Sequence, residues 1–249
     1  FDFIMANPPF NLKKWYDISL SKDSRWADYS VPPQGNANYA WILHMLSKLK
    51  AGKGVAGFLL ANGALGDGDA VAIRQKLIEN DKVEAIVVLP RELFYTTDIS
   101  VTLWILNENK KGGTWHGRKL RNRQKEILFM DLRQWTENPV KGEQKKKVEL
   151  KADQMKRATE IYFNWQSEGT DGTNYAEPEL YRSVSFEELE SNAFSLVPSR
   201  YIEFVDRDTT IDYHQVLTET AATVSDLLNR QQQNDETLRN ALKQLGYEC

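Results

Sequence analysis

Short apolar runs alternate with amphipathic segments through the first half of the chain. The runs that predict buried strands are Phe1–Ala6, Val55–Leu60, Val83–Leu89, Val101–Leu106 and Ile127–Leu132. Two segments between them have the apolar spacing of helices: Tyr39, Ile42, Leu43, Leu46 and Leu49, then Ile73, Leu77 and Ile78. We expect Asn36 or Asn38 to cap the first helix and Asp69 to cap the second. Residues 1–135 are therefore predicted to form an α/β unit, with a parallel sheet wrapped by helices.

The rest of the chain has a different pattern. Residues 136–205 are polar and rich in lysine and glutamate, which predicts irregular helices and loops packed on the first unit. Residues 206–249 hold a long helical pattern from about Ile211 to Leu245. Two rows of this pattern recur at seven-residue spacing: Leu217, Val224, Gln231, Leu238 and Leu245, with Ala221, Leu228, Asp235 and Leu242. The rows fit a coiled-coil seam with one polar layer, in a helix roughly 50 Å long, and equally a helix lying on its own domain.

Composition and charge narrow the possible functions. The formal net charge of −3 gives no support to DNA binding by the molecule as a whole, so a nucleic-acid surface must be a local patch. The single cysteine, Cys249, excludes an intramolecular disulfide and favours a reducing cytoplasm. No apolar run is long enough to span a membrane. With one cysteine and three scattered histidines we expect no metal site, and we interpret His44 and His214 as structural.

One tetrapeptide, Asn7-Pro8-Pro9-Phe10, directly follows the first predicted strand. Open α/β sheets bind ligands at the carboxyl ends of their strands. Methyl transfer to an exocyclic amine requires the nitrogen to leave conjugation with its ring, and two acceptors assist: the Asn7 side-chain carbonyl and the Pro8 backbone carbonyl. The prolines stiffen the loop, and Phe10 offers a face on which a flipped base can stack. A simple turn after a strand is the alternative.

The strand and Asn-Pro-Pro-Phe together resemble the catalytic motif of amino-group methyltransferases that use S-adenosylmethionine. Four further segments resemble, in order and spacing, those of the modification (M) subunits of type I restriction-modification systems, which methylate adenine N6 in DNA. These segments are Gly35–Trp41, Leu60–Gly63, Leu89–Tyr95 and Phe194–Tyr201. The resemblance covers essentially the whole chain. The family usually has proline where this chain has Ala61, a minor departure.

This resemblance implies the C-terminal half of a Rossmann-like, S-adenosylmethionine-dependent methyltransferase domain, followed by a mostly helical C-terminal region. The positions that it assigns to the target adenine are Asn7, Pro8, Pro9 and Phe10. It also places Asn7 beside the methyl group of the cofactor. Phe94 and Tyr95 would border the base pocket, although ordinary packing beneath a loop explains them equally well.

In the family, the glycine-rich cofactor loop precedes the Asn-Pro-Pro motif, and this chain begins after that point. We therefore interpret the chain as a fragment that binds S-adenosylmethionine weakly and is inactive alone. The segment Gly63–Gly68 also lies between a predicted strand and a predicted helix, as a nucleotide-binding turn would. No acidic residue convincingly ends the next strand, and we favour a simple loop.

A basic stretch joins the last two predicted strands, and no acidic residue occurs between positions 110 and 125. We expect it near the catalytic face, where Arg118, Lys119, Arg121 and Arg123 would contact DNA phosphates. A solvated hairpin is an equal alternative.

No base-reading motif is visible. The resemblance implies that a separate specificity subunit reads double-stranded DNA, in a complex with a second modification subunit and the restriction subunit. The terminal helix is our candidate for contact with the specificity subunit. Two other hypotheses remain: a protein glutamine methyltransferase, which shares Asn-Pro-Pro followed by an aromatic residue, and a non-catalytic interaction module.

Overall fold

A computed structural model of the protein describes residues 1–94, 99–135, 148–205 and 212–244. It forms two compact units, Phe1–Phe204 and Val205–Cys249. The strands are β1 (Phe3–Ala6), β2 (Val55–Ala61), β3 (Val83–Val88), β4 (Val101–Asn107), β5 (Gly113–Trp115), β6 (Arg118–Leu120), β7 (Glu126–Asp131), β8 (Ala176–Glu177) and β9 (Tyr181–Ser185). The helices are α1 (Asn38–Lys48), α2 (Val71–Glu79), α3 (Ala152–Gln166), α4 (Phe186–Ser191) and α5 (Tyr213–Gln244).

Seven strands form one sheet in the order β1-β2-β4-β3-β7-β9-β8. The pairs β1–β2 and β3–β7 are parallel, whereas β4 is antiparallel to both β2 and β3. The predicted α/β class is confirmed, and the sheet, predicted to be parallel, contains both parallel and antiparallel pairs. Two successive parallel strands normally need a crossover helix between them, and the described residues between β3 and β4 contain no helix. The antiparallel pairing of these two strands is consistent with that connection.

One face of the sheet forms the main core with α1 and α2. The strands contribute large buried side chains such as Phe58, Trp104 and Phe129, and α1 contributes Ile42 and Leu43. These apolar contacts supply the main driving force for holding helices and sheet together.

The helix starts differ from those predicted. The Asn36 side chain accepts a bond from the Asn38 backbone N–H, but α1 begins after Ala37, which has no side-chain cap. The predicted cap Asp69 is wrong, because a 3₁₀ turn precedes α2 and Asp67 caps that turn.

The described residues cover only part of the width of the opposite face of the sheet. Helix α3 covers β3 and β7 there through Ile161 and Trp165. Over β1, β2 and β4, the side chains on this face stay partly or largely exposed, with Phe3 57 % and Met5 92 % accessible. Phe1–Ala6 was expected to be a buried strand; instead β1 pairs with β2 alone among the described residues and forms an edge of the sheet.

The segment after residue 147 adds strands to the same sheet. Strand β9 pairs antiparallel with β7 and also carries β8, while α4 follows it directly. The first compact unit therefore runs past the boundary predicted at residue 135, and its extension is not only helical and irregular. The predicted polar segment also includes residues 136–147, which lie outside the described residues.

The second unit contains α5, a helix of 32 residues with no buried residue, about 48 Å long. The predicted terminal helix is thus confirmed over the described positions. The seam residues Leu217, Leu228 and Leu238 are exposed, and Leu245 lies outside the described residues. Within the parts of the chain that the structure describes, no helix is long and apolar enough to cross a membrane.

Candidate active site

The Asn7–Phe10 loop leaves the sheet at the carboxyl end of β1. Ala6, the last residue of that strand, pairs with Phe58 of the parallel strand β2. The end of β2 lies at the same edge of the sheet, where Ala61 pairs with Val101. The loop therefore occupies the edge at which open α/β sheets bind their ligands, as the sequence predicts.

The side chains of this loop are available to a ligand. Asn7 is exposed, and its side chain has no hydrogen-bond partner among the described residues. Phe10 is half-buried, and its ring meets that of Phe94 edge-on, with centroids 6.5 Å apart and an interplanar angle of 79°. The structure thus brings Phe10 and Phe94 together, three residues along the loop from Asn7. Tyr95, the other aromatic residue predicted here, lies outside the described residues.

A residue that the sequence analysis did not single out shares this edge. Asn62, the first residue after β2, donates its backbone N–H to Ser100 and accepts a 2.5 Å bond on its side chain from the Thr102 hydroxyl. These bonds fix the start of the loop after β2 against the start of β4. The signal was an asparagine directly after a buried strand, the same position that Asn7 takes after β1.

The glycine-containing segment Gly63–Gly68 is held by internal hydrogen bonds. The buried Arg74 guanidinium donates to the Asp67 carbonyl, and the Tyr39 hydroxyl donates to the Ala64 carbonyl, both over 2.8 Å. Burial raises the pKa of Tyr39 to about 12, so this hydroxyl stays a donor. Leu196 donates its backbone N–H to Leu65. These bonds engage carbonyl groups of the segment, and the simple loop stays our prediction.

The basic stretch lies at the opposite end of the sheet from the Asn7–Phe10 loop, so the expected place near the catalytic face is wrong. Because β4 runs antiparallel, its last residue, Asn107, pairs with Val55 at the start of β2. The β5–β6 hairpin follows there, and the Trp115 ring lies 5.9 Å from that of Phe3 at the start of β1.

Two of the arginines predicted to contact DNA are instead engaged inside the protein. The Arg123 side chain is 0 % exposed and forms a 2.9 Å ion pair with Glu84, which is equally buried. Arg121 donates to the Trp165 carbonyl and pairs with Glu126 at 2.7 Å. Burying the Glu84 carboxylate requires a paired cation, and this requirement explains why Arg123 is internal. In this conformation, Arg123 cannot reach a phosphate.

The other two residues predicted to contact DNA, Arg118 and Lys119, lie at the surface. The Arg118 guanidinium stacks on the Phe163 ring at 4.0 Å, and the exposed Lys119 lies 3.4 Å from Glu168. Their contact with DNA stays a prediction.

A cavity of about 280 Å³ separates the long loop after β1 from α1. Three indole rings line it, those of Trp15, Trp26 and Trp41, together with Arg25 and His44. Arg25 Nη1 lies 3.0 Å from His44 Nδ1, and burial followed by the Arg25 charge lowers the pKa of His44. Arg25 and His44, the two ionisable side chains of the wall, therefore contact each other. Among the described residues, no group of three or more histidine, cysteine or acidic side chains is placed to hold a metal ion.

The family and the individual proteins that this chain resembles in sequence are all described as methylases. The family described as N-6 DNA Methylase matches residues 1–209. The chain is 34 % identical to the type I restriction enzyme HindI methylase subunit of Haemophilus influenzae, over 99 % of this chain and 52 % of that protein. It is 31 % identical to the type I restriction enzyme MjaIX methylase subunit of Methanocaldococcus jannaschii, over 98 % of this chain and 42 % of that protein.

Solved structures show a similar fold. The methyltransferase subunit of a type I restriction-modification system from Streptococcus thermophilus superimposes with a TM-score of 0.66, at 24 % identity over 82 % of this chain and 38 % of that chain. The type I restriction enzyme EcoKI M protein gives a TM-score of 0.53 at 18 % identity, over 91 % of this chain and 48 % of that chain. The chain spans about half the length, or less, of the relatives that it matches.

Proposed function

Because this chain belongs to the N-6 DNA methylase family, we propose that it forms the part of a type I modification subunit that holds the target adenine during methylation. The observation that carries the proposal is the proline-stiffened Asn7–Phe10 loop at the carboxyl end of β1, with Phe94 against Phe10. The proposed substrate is adenine in double-stranded DNA, and the proposed methyl donor is S-adenosylmethionine. We place the protein in the cytoplasm.

The proposed chemistry follows from the acceptors of the loop. The Asn7 side-chain carbonyl and the Pro8 backbone carbonyl accept hydrogen bonds from the two N–H groups of adenine N6. These bonds draw the nitrogen towards a tetrahedral geometry with a localised lone pair. A flipped adenine stacks on Phe10, with Phe94 bordering the pocket. S-adenosylmethionine, when bound, supplies the methyl group as a sulfonium. The nitrogen becomes cationic as its bond to the methyl carbon forms and the sulfur–methyl bond breaks, which leaves a neutral thioether. One N6 proton then leaves to water, so the site needs no strong base.

The exposed Asn7 side chain and its unused acceptor fit this role. Asn7 would also lie beside the donor methyl group, at the edge of the sheet where the family binds its cofactor. The rest of the cofactor site is proposed to come from sequence outside this chain, so the chain alone would bind S-adenosylmethionine weakly and be inactive.

The test is methyl transfer by the full-length protein, in complex with its specificity subunit, from labelled S-adenosylmethionine. We expect label in the N6-methyladenine of duplex DNA and none in a release-factor protein. Label in the protein alone would support the glutamine methyltransferase instead. A complex that assembles and binds DNA but labels neither substrate would support the non-catalytic interaction module.

The partner proposed for α5 is the specificity subunit, in a complex with a second modification subunit and the restriction subunit. The apolar seam along this helix, which includes Val224 and Leu228, is exposed. We expect Leu228→Asp to weaken association with the specificity subunit by roughly 30-fold or more, because a charge would be desolvated in the centre of the seam. Binding is measured by titration of the purified subunits.

Ala222→Asp is the matched control for this experiment. It introduces the same charge on the face of α5 that points away from the seam, and we expect it to leave the affinity unchanged. Equal affinities of the two variants for the specificity subunit would show that the seam is not the contact.

A further inference from the structure

We propose that Asn38 is a positioning residue, which holds the Asn7–Phe10 loop in its reactive geometry by binding Asn11. The inference rests on the proposed function, because it assigns a role to the loop that would contact adenine. Asn38 is the first residue of α1 and lies 27 residues from Asn11 in the sequence.

Asn11 directly follows Phe10 and adopts a left-handed backbone conformation, with φ of +51°. Its backbone N–H donates to Asn38 Oδ1 over 3.1 Å, and Asn38 Nδ2 donates back to Asn11 Oδ1 over 2.9 Å. Asn36 Nδ2 adds a 3.2 Å bond to the same Asn11 oxygen. The next residue, Leu12, accepts a 3.0 Å bond from the Ala37 backbone. The four bonds join the end of the loop to the start of α1.

Asn38 and the helix α1 that carries it are held firmly in the core. Asn38 is only 1 % exposed, and α1 is fixed in the core through Ile42 and Leu43, both fully buried. At the other end of the loop, Ala6 is fixed by its pairing with Phe58 in the sheet. The loop is therefore held at both ends, and its two prolines limit rotation between them.

The two hydrogen bonds between Asn11 and Asn38 require an amide side chain at position 38. One asparagine side chain both accepts from the Asn11 N–H and donates to the Asn11 side chain, without placing a charge in the interior. An apolar residue at position 38 would leave the Asn11 N–H without its partner and remove the main restraint on a left-handed non-glycine residue. Phe10 and Asn7 would then sample other positions. A displacement of about 1 Å in a catalytic geometry lowers rates by roughly 10²-fold.

The experiment measures steady-state and single-turnover methylation by the full-length protein in its complex, with Asn38→Ala. We expect kcat per active site to fall roughly 10- to 100-fold, with little change in KM for DNA. With 2-aminopurine at the target position of the duplex, we expect altered fluorescence, because the flipped base no longer stacks in one place. Asn38→Asp keeps the acceptor for the Asn11 N–H but loses the donor to Asn11 Oδ1 and places a charge in the interior, so it should restore only part of the rate.

Two further variants keep the result decisive. Asn11→Gly retains the left-handed backbone but loses the side-chain acceptor, and we expect a smaller fall in kcat. Asn192→Ala removes a comparable side-chain bond, donated to the Glu188 carbonyl at the end of α4, and should leave kcat unchanged. Wild-type kcat per active site in Asn38→Ala, even with a lower melting temperature, would overturn the positioning role.

The same assay with Asn7→Ala separates this inference from the proposed function. If Asn7→Ala retains full activity, the proposed function is wrong, and the positioning role fails with it. If Asn7→Ala is inactive while Asn38→Ala and Asn11→Gly match the wild type, only the positioning role is wrong.

Discussion

Replacement of Asn7 by alanine in the full-length protein is expected to lower the rate of adenine methylation by about 10²–10³-fold. The variant removes the side-chain acceptor that would stabilise the tetrahedral nitrogen and leaves the Pro8 carbonyl in place. Because this interaction strengthens only as the nitrogen becomes cationic, kcat and kcat/KM should fall together. The affinity for duplex DNA should be unchanged. Single-turnover methylation and equilibrium DNA binding measure the two quantities separately.

Two variants calibrate this result. Asn7→Asp keeps an acceptor oxygen at the same position and should retain more activity than alanine. Asn174→Ala changes another exposed loop asparagine, whose side chain among the described residues donates to Asp171 in its own turn, and should have no effect. Undiminished methylation by Asn7→Ala would contradict the assignment of the loop.

Replacement of Arg123 by alanine is expected to destabilise the first compact unit by about 3–5 kcal/mol, because it leaves a buried carboxylate without its cation. Glu84 accepts hydrogen bonds from Arg123, Gln166 and the Tyr162 hydroxyl, and its only charged partner among these is Arg123. For a unit of this size, such a loss lowers the melting temperature by roughly 6–20 °C. Thermal unfolding followed by circular dichroism measures the change.

The matched control is Arg157→Ala. Arg157 also pairs with a glutamate, Glu177, and here both carboxylate oxygens accept, but the two side chains are 52 % and 42 % exposed. Water already solvates both groups, so the expected loss is about 0–1 kcal/mol. Equal melting temperatures for the two variants would show that the Glu84–Arg123 pair contributes no more than a surface pair.

A strand could be predicted from the sequence where one or both of its faces are buried, because its buried positions are then occupied by apolar residues. Val83–Val88 is apolar in five of six positions, and all six residues are buried. The direction of β4 was not predictable, since a strand has the same alternation in either direction. This one orientation decides that the basic stretch and the Asn7–Phe10 loop lie at opposite ends of the sheet. Strand β9 was missed because its five residues include Arg182 and two serines.

The motif of the candidate site could be predicted from the sequence, but the contacts that hold its loop in place could not. Asn7–Phe10 is contiguous, and its residue types point to a chemistry. Asn11 and Asn38 meet only through the packing of α1, which the sequence pattern does not specify. For Arg123, a signal was present: Glu84 interrupts the apolar run of β3, and a charged residue inside a buried strand requires a partner. Arg123 lies 39 residues away from it, within a stretch that resembles a solvated loop.

Among the described residues, strand β1 pairs on one side only and carries the exposed side chains of Phe3 and Met5, and this combination has a consequence for association between copies of the chain. Backbone N–H and C=O groups along such an edge can accept an additional strand from another molecule. Burial of the adjacent apolar side chains would add a hydrophobic driving force. We therefore expect concentrated solutions of the chain alone to oligomerise by intermolecular strand addition at β1, more readily at high salt, where repulsion between the acidic molecules is screened.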